Sequence, residues 1–199
     1  GFNPLVYDTR DPRTIYRLLD EGRLPLWWSD PGGVDAHTVR YTRPPLQGWL
    51  AEQTPAPILF GGCLFKGQGQ PPPAAIPRFV RMCARVQDVV TTSGPGTGHA
   101  ADTRKIAWLR HALGPEKPIG LASGVTPVNV ADYLPYVDAI LVASGIGHDF
   151  HNIEPKRLDA LLHIVDAFNA SGAGGAGGTV GGMGTAMAPD VGGGMEWVR

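Results

Sequence analysis

Short runs that are apolar on consecutive positions alternate along the chain with stretches whose apolar residues recur every three or four positions. The runs at 3–7, 24–28, 58–65, 88–92, 118–122 and 139–143 predict strands buried on both faces. Helical spacing follows most of them. Asp11 and Pro12 open a helix as N-cap and first residue, Ile15, Leu18 and Leu19 form its apolar face, and Gly22 closes it. A second helix over 74–84 places Ile76, Phe79, Val80 and Cys83 on one face, and a third over 101–113 turns Ile106, Leu109 and Leu113 inward. Thr126 and Pro127 start a short helix to 133, and the last, over 155–168, carries Leu158, Leu161, Leu162 and Val165. Between 36 and 50 the pattern is mixed. Residues 38–43 fit no single period, Pro44 and Pro45 break any helix, and 46–53 reads as one further helix.

About six βα units follow, which predicts an α/β fold with a parallel sheet. An open doubly wound sheet and a (β/α) barrel both satisfy this strand pattern, so the loops have to decide. Residues 1–170 form the folded domain in this reading. The Gly-rich segment 171–199 lacks apolar periodicity and predicts a flexible tail, with Trp197 near its end.

Composition narrows the function classes. Lys and Arg total 17 against 18 Asp and Glu, for a net charge of −1, which argues against general nucleic-acid binding by phosphate neutralisation. The longest apolar runs, such as 139–142 and 161–165, are far shorter than the roughly 18–20 residues of a membrane span. No basic start precedes a long apolar run, so no secretory signal is expected. Cys63 and Cys83 form neither a metal pattern nor a disulfide framework, and a reducing, cytoplasmic setting is the expectation.

Candidate chemistry lies at the strand ends. Three successive loops are rich in glycine and hydroxyls: Thr92-Ser93-Gly94-Pro95-Gly96-Thr97-Gly98, Ser123-Gly124-Val125-Thr126, and Ser144-Gly145-Ile146. Glycine lets backbone amides approach an anion, hydroxyls add donors, and each loop precedes a helical segment. In a barrel the last two such loops are the usual phosphate cradle. Ser93, Gly94, Thr97, Gly98, Ser123, Gly124, Ser144 and Gly145 are therefore the predicted phosphate-binding residues. The plainer reading is that these glycines only make tight turns.

The same segments resemble the BtpA/SgcQ family of TIM-barrel proteins. The run from Thr92 to Gly98 is similar to that family's T-G-x-x-T-G loop, and Ser123-Gly124-Val125-Thr126-Pro127-Val128-Asn129 to its G-S-G-V-T-x-x-N segment. Val142-Ala143-Ser144-Gly145-Ile146 resembles the turn after its last strand, and Phe60-Gly61-Gly62-Cys63-Leu64-Phe65-Lys66 its strand ending in Lys. Gly147-His148 stands where the family often has Phe-Lys. The resemblance implies a TIM (β/α)8-type barrel of the ribulose-phosphate-binding group and, for some members, a role in photosystem I biogenesis. On this alignment the strand at 3–7 is the third of eight, so the first two units are absent, and the Gly-Phe start suits a fragment. A sheet with two open parallel edges would then call for a cover or a homo-oligomer.

Asp8, Asp30 and Lys66 follow the strands at 3–7, 24–28 and 58–65 and are the candidate catalytic residues. Lys66 suits a Schiff base or a fixed cation, and Asp30 a general base with Asp8 as partner. Cap and turn duty is the plainer reading for both aspartates, since Thr9-Arg10 and Pro31-Gly32 follow them. His99 follows the Gly-rich loop. His148 and His151 flank Asp149 but lack a regularly spaced third ligand, so no metal is expected. Arg78, Arg81 and Arg85 read as a solvated helix face, and Trp27 and Trp28 as core. The expected function is binding of a phosphorylated small molecule, with acid–base or imine chemistry on a sugar phosphate or phosphoribosyl compound if the chain is an enzyme. A non-catalytic assembly factor on the same scaffold and a flavin mononucleotide enzyme are the alternatives.

Overall fold

The structure is a computed structural model that describes residues 26–30, 32–42, 57–149 and 152–172. The strand expected at 3–7, the helices at 11–22 and 46–53, Asp8, His151 and the tail beyond Gly172 lie outside the described residues. The chain divides into two compact units, Gly1–Thr92 with Lys117–Gly120, and Ser93–Glu116 with Leu121–Arg199.

Five strands form one sheet: β1 (Leu26–Ser29), β4 (Ile58–Gly62), β5 (Val89–Ser93), β6 (Ile119–Ala122) and β7 (Ala139–Leu141), neighbours in that order. β1 and β4 pair in parallel from Leu26↔Ile58 to Ser29↔Gly61, and β4 and β5 from Phe60↔Val89 to Gly62↔Thr91. The amide of Val90 donates to the carbonyl of Pro118, and that of Ser123 to Leu141. Sheet order thus repeats chain order. A doubly wound sheet reverses its order at a switch point, whereas a barrel adds each new strand on the same side. The described strands follow the barrel pattern.

In the first unit, α1 (Ile76–Val86) buries Phe79, Val80 and Cys83, the face expected from their spacing. A 3-10 turn at Pro73–Ala75 leads into it. The helix packs on a two-stranded antiparallel hairpin, β2 (Val34–Asp35) with β3 (Arg40–Tyr41). The mixed pattern over 38–43 concealed this hairpin. Its turn is closed by Asp35, whose carboxylate accepts from the Thr38 amide at 2.6 Å and hydroxyl at 2.7 Å, and alternation is too short to read in two-residue strands.

In the second unit, α2 (Thr103–Leu113) and α3 (Pro155–Ala170) surround a core of Ile106, Leu121, Val125, Val130, Tyr133 and Leu161. Asp102 caps α2 by accepting from the Arg104 amide at 2.8 Å, and Gly114 ends it with φ 76°. Tyr133 is buried, and its hydroxyl donates to the Ala101 carbonyl at 2.8 Å; burial raises its pKa.

Several expectations need correcting. The strand predicted over 58–65 stops at Gly62, because Leu64 adopts φ 51° and turns the chain. The helix expected over 127–133 is reduced to a 3-10 turn at Val130–Asp132. Thr126 still accepts from the Val128 amide, but Asn129 accepts from the Thr126 amide and draws the segment into successive turns. The strand at 139–143 ends at Leu141. Leu162, expected inside, is 46% exposed, while Leu158 and Val165 pack against the core.

Among the described residues no helix is long and apolar enough to cross a membrane. Truncating the fully buried Ile106 to Ala is expected to cost about 2–5 kcal/mol in chemical denaturation. Asp102→Ala is expected to cost about 1 kcal/mol at neutral pH. The Arg104 side chain holds the Asp102 carboxyl below its ordinary value. A depressed folded-state pKa contributes stability above the unfolded value and loses it as pH falls through the folded one. The gap between the urea midpoints of wild type and Asp102→Ala should therefore close in acid.

Candidate functional site

All eight residues expected to bind phosphate lie in the second unit, and the structure brings their three loops together. Ser123, at the end of β6, is the anchor. Its hydroxyl donates to the Gly96 carbonyl at 3.1 Å and accepts from the Gly98 amide at 3.1 Å. Ser123 itself has φ 76°, a left-handed conformation that costs a non-glycine residue on the order of 1 kcal/mol or more. Strain is thus held where the hydroxyl staples the preceding loop. The third loop arrives beside the same point: a Cβ built on Gly98 would lie 3.8 Å from the Ser144 hydroxyl oxygen.

Two glycines are required by close backbone approach. A Cβ on Gly124 would stand 2.0 Å from the His99 carbonyl oxygen, and one on Gly145 would stand 1.7 Å from that of Val125. Each glycine therefore seats the loop that follows the preceding strand. The turn-making reading of these residues accounts for their missing side chains. It leaves their amides available: those of Gly124, Ser144 and Gly145 donate to no other described residue. Asn129 fixes the middle loop, donating to the Gly124 carbonyl at 2.9 Å while accepting from the Thr126 amide at 2.8 Å. It was absent from the predicted site, and its signal was an Asn three residues after a Thr that follows Gly-Val.

Beneath the first loop Ser93 and Gly94 are buried, and the Ser93 hydroxyl donates to the Gly94 carbonyl at 2.8 Å. Thr97 is exposed, and its carbonyl lies 3.1 Å from His99 Nδ1. Lys105, on the first turn of α2, is only 7% exposed and donates to the Ser93 carbonyl at 2.9 Å.

Of the candidate catalytic residues, Asp30 and Lys66 are described, each beside one of two aromatic rings in the first unit. Trp28 donates from its indole to the Asp30 carboxylate at 2.7 Å. Its ring meets that of Phe65 edge-on at 5.0 Å between centroids, and the Lys66 ammonium lies 5.8 Å from the Phe65 centroid. Trp28, expected in the core, is half-buried with its polar edge committed to Asp30. Below them Gln87, buried, fills the space above Gly61 and donates to the Gly32 and Gly62 carbonyls, both at 3.1 Å. Among the described residues no group of three or more His, Cys, Asp and Glu side chains could hold a metal ion.

No family model matches the chain, and no curated protein matches it. Among solved structures, the crystal structure of phosphoribosyl anthranilate isomerase from Thermus thermophilus matches with a TM-score of 0.51 at 18% identity. The match covers 79% of this chain and 68% of that one. This likeness establishes the fold as α/β of the TIM-barrel type, in agreement with the strand order.

The Ser123 staple makes a prediction independent of any ligand. Ser123→Gly removes the hydroxyl but suits the positive φ, so global stability should change little, whereas amide exchange at Gly98 should accelerate by at least about tenfold. Unchanged exchange at Gly98 would show that the hydroxyl does not order the loop.

Proposed function

We propose that this chain binds a phosphorylated small molecule of the sugar-phosphate or phosphoribosyl class at the loop cluster of its second unit. The observation that carries this reading is the convergence of three strand-end loops around Ser123, with the amides of Gly124, Ser144 and Gly145 left to donate. Uncommitted amides in a concave turn are suited to an anion, and a phosphate group offers several acceptor oxygens to them. In this proposal Gly98 and Ser144 border the phosphate, and Ser93, Gly94 and Thr97 shape the loop on which it rests. Ser123 both lines the site and orders it.

The fold supports the same class, because the matching structure is that of an enzyme named for a phosphoribosyl compound. The resemblance of the loops to the BtpA/SgcQ family points to the ribulose-phosphate-binding barrels as well. For chemistry, Asp30 and Lys66 are the proposed reactive groups, Asp30 as a general base and Lys66 as an amine that condenses with a substrate carbonyl and releases water. Asp8, their proposed partner, lies outside the described residues.

A thermal-shift screen with ribose 5-phosphate, inorganic phosphate and flavin mononucleotide tests the binding. A ligand at about a hundred times its Kd should stabilise the fold by roughly 2.7 kcal/mol. Ser144→Asp should abolish that shift by placing a carboxylate beside the anion, and an undiminished shift in this variant would overturn the assignment. Borohydride in the presence of a carbonyl substrate should add the substrate's mass less one oxygen to wild type, because imine formation loses water and reduction adds two hydrogens, but not to Lys66→Ala. Equal labelling of both would remove the imine role.

A further inference from the structure

His99 closes the first loop and is held there by three of its own groups. Its amide donates to the Gly96 carbonyl at 3.2 Å. Its ring lies against Gly96, where a Cβ would stand 3.1 Å from Nδ1, and its carbonyl oxygen fills the space that a Cβ on Gly124 would take, at 2.0 Å. Ring Nδ1 is 3.1 Å from the Thr97 carbonyl. A carbonyl oxygen only accepts, so this contact places the ring proton on Nδ1. In the neutral imidazole Nε2 then carries the lone pair. Nε2 makes no hydrogen bond to a described residue, and the side chain is exposed.

The Thr97 carbonyl belongs to the same peptide group as the Gly98 amide. That amide donates to the Ser123 hydroxyl at 3.1 Å, and the hydroxyl donates in turn to the Gly96 carbonyl at 3.1 Å. The imidazole is thus one peptide group away from Gly98, and its own carbonyl rests on Gly124. Linked hydrogen bonds of this kind polarise one another. A side chain needed only to tie the turn has to supply one donor, which Asn does as well. The imidazole adds a second nitrogen, and that nitrogen is an acceptor. The amides of Gly124, Ser144 and Gly145 are donors. Donors hold a phosphate group whatever is esterified to it, whereas an acceptor distinguishes a ligand that brings a hydroxyl from one that does not.

We propose that His99 is the specificity-determining residue of the loop cluster. Its Nε2 accepts a hydrogen bond from a hydroxyl of the ligand whose phosphate the neighbouring amides hold, so the site selects phosphate esters that carry a hydroxyl over those that carry none. The inference rests on the phosphate reading given above.

The test uses the full chain at about pH 8, above the ordinary titration range of histidine. Nitrogen-15 spectra of the unliganded protein should show the His99 proton on Nδ1; a proton on Nε2 overturns the inference before any ligand is added. Calorimetric affinities for ribose 5-phosphate and methyl phosphate follow. Wild type should favour ribose 5-phosphate by about three- to tenfold, the effect of one neutral hydrogen bond. His99→Asn, which keeps a donor for the Thr97 carbonyl, should bind methyl phosphate as wild type does and lose that margin. Equal affinities in wild type, or an unchanged margin in His99→Asn, overturn the role of His99 and leave the phosphate site standing. Loss of both ligands in His99→Asn overturns it too, since the ring would then serve the loop alone. Failure of wild type to bind either ligand overturns the phosphate site and this inference together.

Discussion

The constraint on which this structure turns is the closeness with which one strand-end loop lies against the next. After β1 the Asp30 carbonyl occupies the space where a Cβ on Gly62, at the end of β4, would stand at 1.8 Å. After β5 the His99 carbonyl does the same to Gly124 beyond β6, and after β6 the Val125 carbonyl does so to Gly145 beyond β7. Between β4 and β5 the contact is a hydrogen bond, from the Thr92 hydroxyl to the Leu64 carbonyl at 3.3 Å. A parallel sheet built in chain order brings each loop beside its predecessor, and backbone can nest against backbone only where side chains are missing.

This nesting links packing to chemistry. Each loop's backbone is seated on the next glycine, and the amides of Gly124, Ser144 and Gly145 donate to no described residue. Polar groups that complete the arrangement are short and local: the Ser123 hydroxyl across two turns, Asn129 within its own loop, Lys105 from the helix below. In the first unit the equivalent work falls to Gln87, whose side chain replaces the missing ones of Gly61 and Gly32 and bonds to the carbonyls of Gly32 and Gly62. Rigid loops of this kind suit an anion site, since donors held in place lose little entropy when a ligand arrives.

Much of the scaffold was legible in the chain. Runs such as Val89–Ser93 and Ile119–Ala122 are apolar or small throughout because both faces are covered, and the faces of α1 and α2 follow a helical period. Where the reading failed, a local contact overrode the pattern. Asn129 pulled 126–129 into turns, Leu64 bent the end of a predicted strand, and the Asp35 turn closed a hairpin too short to show alternation.

The sequence by itself determined where the five strands of the sheet and the three described helices lie, and it marked the three Gly-Ser loops between them, because burial and turn formation act on neighbours along the chain. It left open whether the sheet was doubly wound or barrel-like, since both arise from the same local pattern and differ only in which strand lies beside which. Tertiary structure decided that, and with it which groups meet. Ser123 reaches Gly96 and Gly98 across 27 and 25 residues, and Lys105 reaches Ser93 across 12. Contacts of that span depend on the pairing of strands in space, which no periodicity along the chain records.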